Sequence, residues 1–181
     1  NYSKKVMRKA IQPCVALFFS TVTIGWGQTK IQILSSDITD INKGKDYTRT
    51  YYLRGNVGLK QDVAYMYCDS AVLRQPENTF EAYGNVRIIQ SDTVSINGKE
   101  LFYSGDERVF TIKKDVVLTT PSSRLATTVL RYDRNNSTAY YLTRSTLERK
   151  TLRLTSDVGS YNTDIDPVSY THLTLPTIVG V

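Results

Sequence analysis

The chain has 181 residues, enough for one domain with a real core. Its net charge of +6 would suggest a nucleic-acid partner, but four of the 23 basic residues, Lys4, Lys5, Arg8 and Lys9, stand at the very start, and the other 19 nearly balance 17 acids. No basic stripe or phosphate-binding loop survives that correction, so nucleic acid is not an expected partner.

Residues 1–27 read as an export signal that is cleaved, with Met7 as the start and 1–6 as upstream read-through. Arg8 and Lys9 give a positive head, and an apolar run leads from Cys14-Val-Ala-Leu-Phe-Phe19 to Trp26. Gly25 and Gly27 supply the small residues a signal peptidase needs before Gln28. The run is short for a membrane span, which takes about 20 residues. Gln12-Pro13 ahead of Cys14 lacks the pattern of a lipid-modified cysteine. Cys14 would leave with the signal, and Cys68 then has no partner for an internal disulfide and reads as a small packed hydrophobe. Residues 28–46 read as a linker.

From 47 to 166 the pattern is β. Val, Ile, Thr, Phe and eleven of the chain's 13 tyrosines alternate with polar residues, and turn signals recur at Pro76-Glu-Asn78, Asn97-Gly98, Ser104-Gly-Asp106 and Asp133-Arg-Asn-Asn136. The sequence also repeats itself about every 30 residues. One strand type reads Tyr51-Tyr-Leu-Arg-Gly-Asn-Val-Gly-Leu59, then Phe80-Glu-Ala-Tyr-Gly-Asn-Val-Arg-Ile88, then Phe110-Thr-Ile-Lys-Lys-Asp-Val-Val-Leu118, with a weaker copy from Tyr140-Tyr-Leu142. A second type starts at Tyr67, Ile96, Leu125 and Leu154, a step of 29 each time, with Tyr103, Tyr132 and Tyr161 following in register.

Taking every second residue gives one apolar face: Tyr51, Leu53, Val57, Leu59; Phe80, Ala82, Val86, Ile88; Phe110, Ile112, Val116, Leu118. Arg54, Asn56, Glu81, Asn85, Arg87, Lys113 and Asp115 form the opposite, wet face. A unit with one apolar face cannot bury it alone, so the units must stack into a folded-over sheet or open-ended roll, leaving strand edges at its ends. Such edges can pair with another chain. Glycine inside a strand, at Gly55-Asn56 and Gly84-Asn85, marks a corner or clearance for a guest. The uncharged segment 167–181 reads as a foreign tail that cuts the fourth unit before its return strand.

Signals for catalysis are absent. The single histidine, His172, lies in that tail, and there is no P-loop, dinucleotide fingerprint or nucleophile elbow. The scattered carboxylates, among them Asp62, Asp69, Glu77, Glu81, Asp92, Glu100, Asp106, Glu107 and Asp115, fall at turns and on the wet face. The expectation is a non-enzyme without metal or cofactor.

The unit Cys68-Asp-Ser-Ala-Val72, a polar turn, then Phe80-Glu-Ala-Tyr-Gly-Asn-Val86 resembles the repeat of the OstA-like (LptA-like) family, over about residues 47–161. The third copy departs from it, with Lys114-Asp-Val116 in place of Gly-Asn-Val. The resemblance implies an all-β fold, an antiparallel β-jellyroll built from ~30-residue repeats. It implies a periplasmic protein of lipopolysaccharide transport toward the outer membrane. Lipid A acyl chains would ride on the inner rows, with Val57, Leu59, Phe80, Val86, Ile88, Phe110, Ile112, Val116 and Leu118 as contacts. Partners would be lipopolysaccharide and other β-jellyroll transport components, or further copies stacked by their edges. Arg54, Arg87 and Lys113 could meet lipid phosphates or simply be solvated. The competing reading is a structural β-repeat module with a dry interior that assembles edge to edge in the envelope.

Overall fold

The computed structural model describes residues 29–44 and 48–164 in full and residues 168–172 as backbone. The expected export signal lies outside the described residues. The described residues open with two short strands, β1 (Gln32–Ser35) and β2 (Ile38–Lys43). Six long ones follow: β3 (Arg49–Gln61), β4 (Ala64–Arg74), β5 (Thr79–Gln90), β6 (Val94–Ser104), β7 (Val109–Thr119) and β8 (Arg124–Asp133). Five short ones complete the described strands: β9 (Thr138–Tyr141), β10 (Ser145–Arg149), β11 (Leu152–Ser156), β12 (Val158–Asn162) and β13 (Val168–His172). All join in one antiparallel meander, β1-β3-β4-β5-β6-β7-β8-β9-β12-β13, with β2 also on β3, β10 on β8, and β11 on β10.

Every long strand is creased near its middle. On β3 and β5 the crease is Gly55-Asn56 and Gly84-Asn85, with φ of 72° and 47°, then 72° and 41°. On β7 it is Lys114-Asp115, with φ of 64° and 51°. These left-handed pairs put one extra residue into the odd strands, so the ladder runs Arg54↔Ser70 and then Val57↔Cys68. The odd strands thereby keep their inward parity: Leu53, Val57 and Leu59 are all buried. The even strands pay with a parity change. Inward residues run Ala64, Met66, Cys68 and then Ala71, Leu73 on β4, and Val94, Ile96 and then Leu101, Tyr103 on β6.

The crease lets the sheet double over on itself. Tyr103, at one end of β6, donates a hydrogen bond to Gln61 Oε1, at the far end of β3. Laterally Tyr103 pairs with Phe80 and Phe110, whereas Gln61 pairs with Ala64. These residues meet only if the two halves of each strand face one another, which makes the fold a jellyroll. Between the halves lies one continuous apolar core, from Ile31 through the long strands to Leu147 and Tyr161. The corner expected at Gly55-Asn56 and Gly84-Asn85 is therefore present, and the all-β repeat architecture is as the sequence implies.

Four expectations change. The 28–46 linker carries β1 and β2, paired to the two halves of β3. Their residues are mostly exposed, so they show no alternation; backbone pairing to a ready edge recruits them. The repeat step is 30, then 29 and 29, since the ladder aligns Met66, not Tyr67, with Ile96 through Ile88. Tyr67 faces out. The weaker fourth copy begins at Ala139, which faces Tyr132, and not at Tyr140. In that copy the crease severs the strand into β9 and β10 around an exposed Leu142. Finally, the return strand expected to be missing is supplied by β13, whose backbone pairs with β12.

Candidate functional site

The nine inner-row residues come together as the sequence expects. Leu59, Phe80, Ile88, Phe110, Ile112 and Leu118 are 0 % exposed, and Val57, Val86 and Val116 no more than 2 %. All nine belong to one core cluster. An open lumen wide enough for an alkyl chain would also admit water and leave its walls accessible. Side chains at 0–2 % line no such lumen, so the two rows interdigitate. Aromatic rings run across the strands at one level. Phe80 and Tyr103 lie 5.3 Å apart, Tyr103 and Phe110 4.4 Å, and Phe110 and Tyr132 6.5 Å. Such offset pairs add to what burial alone contributes.

The wet-face basic residues do not converge on these rows. Arg54 points outward and pairs with Asp40 at 2.6 Å. Arg87 is exposed. Lys113 borders an outer depression with Glu81, Tyr83, Glu100 and Phe102. Among the described residues, no cluster of His, Cys, Asp and Glu could hold a metal.

What the sequence reading missed is the seam, where the two ends of the folded sheet meet. The inward parity does not stop at the apolar rows. After Leu59, Ile88 and Leu118 the next inward positions are Gln61, Gln90 and Thr120, one polar residue per repeat on one lip. After Tyr132 on the other lip comes Arg134. Continuing the alternation past the last apolar residue of each strand would have found them.

Arg134 holds this seam. Its side chain is 0 % exposed. Nε donates to Gln90 Oε1 at 2.8 Å, Nη1 to the Tyr103 hydroxyl at 2.7 Å and to Gln61 Oε1 at 3.3 Å, and Nη2 to the Gln61 carbonyl at 3.3 Å. The guanidinium lies 5.8 Å from the Phe110 ring centroid, directly above the aromatic row. Asp62 Oδ2 is 3.6 Å from Arg134 Nη2 and accepts a 2.9 Å bond from Arg108 Nη2. Burial pushes the Tyr103 hydroxyl above its ordinary pKa, with Arg134 opposing that shift. Further along the seam, Thr120 and the Tyr161 hydroxyl lie 3.3 Å apart.

One lip is stiffened by its own turns. In three successive turns the first N–H donates to the carbonyl that closes the turn before it, Gly105 to Asn78, Arg134 to Arg108 and Thr163 to Ser137, at 2.8–3.0 Å, and Gln75 N–H donates to Arg49 at the start of β3 at 3.2 Å. Gly105 is needed there, because a Cβ would strike Asn78. The Arg134 backbone is thus fixed while its side chain reaches across.

Comparison with known proteins bears on this geometry. Residues 28–173 match the family model described as OstA-like protein. A comparison with curated proteins gives no match. Among solved structures, the fold is similar to LptH, the LptA homologous periplasmic component of the lipopolysaccharide transport device of Pseudomonas aeruginosa. The TM-score is 0.51 at 14% identity, over 59% of this chain and 77% of that one. At that identity the likeness speaks for the fold, and the family match, which spans most of the sequence, speaks for kinship: the chain belongs to the OstA-like protein family.

Proposed function

We propose that this protein is a passive, non-enzymatic carrier in periplasmic lipopolysaccharide transport. It would hold lipid A acyl chains against Val57, Leu59, Phe80, Val86, Ile88, Phe110, Ile112, Val116 and Leu118. The observation that carries this reading is the continuity of the apolar interior. It passes through every repeat, and among the described residues its terminal strands, β1 and β2 at one end and β11 and β13 at the other, each pair on one side only. A stacked partner, another transport component or a second copy, could extend both sheet and interior. The kinship with OstA-like proteins and the likeness to a periplasmic transport component agree with it.

The described conformation is the closed one. With the rows interdigitated, acyl chains enter only when the halves part, exchanging side-chain packing for chain packing of similar apolar character. The same tight packing favours a second reading, a dry structural module that joins others edge to edge. Photo-crosslinking separates them. A photoreactive residue replaces Ile88 or Leu118, with outward Arg87 as control, and the protein is exposed to lipopolysaccharide. Adducts at the inner positions and none at 87 support the carrier. A folded protein that gives none at any position supports the dry module.

A further inference from the structure

The seam carries a feature that a merely structural closure does not need. Two arginines, Arg108 and Arg134, face a single carboxylate, Asp62, and Arg134 is otherwise held by neutral oxygens of Gln61, Gln90 and Tyr103. A buried guanidinium with mostly neutral partners is under-compensated. Its planar fork suits a bidentate anion better than single carbonyl oxygens. The position is also specific. Arg134 sits over Phe110, at the line where the buried apolar rows give way to the polar lip.

We propose that Arg134, with Arg108, is an anion-reading latch: the anionic headgroup of an amphiphile draws both arginines off Asp62, Gln61 and Gln90, and so opens the seam over the inner rows. This rests on the carrier reading and deepens it, by naming an anionic headgroup as what admits the alkyl chain. An ionised phosphate or carboxylate at the lip replaces one shared carboxylate with a dedicated partner. The differential affinity for the open form shifts the population toward it. A neutral amphiphile of the same chain length lacks that term. The stacked turns keep the Arg134 backbone in place, so the motion is one of the side chain and the facing lip, Gln61–Asp62 and Gln90.

Cys68 provides the readout. It is buried in the core beside the crease, deep in the space the two halves enclose, and burial first, then Asp69, pushes its thiol up to about 12, so it reacts slowly while the halves stay closed over it. In the full chain carrying Cys14→Ser, alkylation of Cys68 by N-ethylmaleimide is timed with dodecyl phosphate or dodecyl maltoside, both below micelle formation. Binding of each is followed separately by calorimetry. Dodecyl phosphate is expected to speed alkylation on the order of tenfold and dodecyl maltoside to do far less. Arg134→Gln is expected to alkylate fast without any amphiphile and to lose the headgroup preference. Should that variant fail to fold, Asp62→Asn keeps the test: it raises the basal rate and retains the preference for phosphate. Equal acceleration by both amphiphiles overturns the latch and leaves the carrier standing. A folded Arg134→Gln protein as slow as the parent also overturns it. If neither amphiphile binds folded protein, the carrier reading falls, and the latch with it.

Discussion

Lys99 Nζ lies 2.5 Å from Asp115 Oδ2, at the place where, one repeat earlier, Asp69 Oδ2 accepts a 2.9 Å hydrogen bond from Asn85 Nδ2. The same Asp–Asn bond joins Asp37 and Asn56 in the repeat before, at 2.9 Å. The crease is thus fastened in three successive units, and in the third the acid and its partner have changed sides. The glycine beside the asparagine changes with them. A Cβ at Gly55 or Gly84 would collide with the Asp37 or Asp69 carboxylate. Lys114 carries a side chain in the same left-handed conformation and sends it to Glu100 at 2.5 Å.

That comparison sets opposite expectations for two substitutions. Gly84→Lys places a side chain at φ 72° against Asp69 and should cost about 1–3 kcal/mol. Lys114→Gly relieves a left-handed non-glycine residue while removing an exposed ion pair. Its net effect should lie within about 1 kcal/mol, with any change toward higher stability. Urea unfolding of both variants decides it. Equal losses in the two would mean the crease is held by something other than these side chains.

Stability should fall on the alkaline side in two stages. Cys68 is raised from 9.0 to about 12, chiefly by burial. Tyr103, Tyr132 and Tyr141 are raised above 10.0, each chiefly by burial. A group whose folded pKa is raised contributes stability that is complete below its unfolded pKa. That contribution is lost as pH climbs toward the folded value. Loss therefore begins near pH 9 with the thiol and steepens past pH 10 with the tyrosines. Each group adds a slope of at most about 1.4 kcal/mol per pH unit. In urea titrations at stepped pH, Cys68→Ala should flatten the first stage and leave the second. A parent curve that stays level to pH 11 on a folded protein would contradict the burial of all four groups.

Edge strand β2 gives a third test. All six of its residues are exposed, Ile38 and Ile41 about half so at 53 % and 51 %. Ile41→Lys places a charge on the β2 edge and, if the proposed carrier stacks through this edge, should weaken that stacking. Folding stability should change by no more than about 0.5 kcal/mol. Sedimentation and thermal melts, run together, read the two effects separately. Unchanged association with unchanged stability would move the docking edge to the opposite end, β11 and β13.

Much of this protein follows from local chemistry. Alternation of apolar and polar residues fixes which side of each strand turns inward, because successive side chains on a strand point to opposite faces. Phe80, Ile88, Phe110 and Leu118 were therefore legible as interior without a structure. The repeat was legible too, since each unit must offer its neighbour the same face. Three things belong to the tertiary structure. The parity change across Cys68 and Ala71 appears only when an extra residue in β3 meets a strand without one, which is a property of the pair. Strands β1 and β2 exist because β3 offers them an edge, a debt that no local pattern records. The seam depends on residues 73 apart in the chain, Gln61 and Arg134, and a guanidinium there is tolerable only because folding over brings five neutral and acidic oxygens around it.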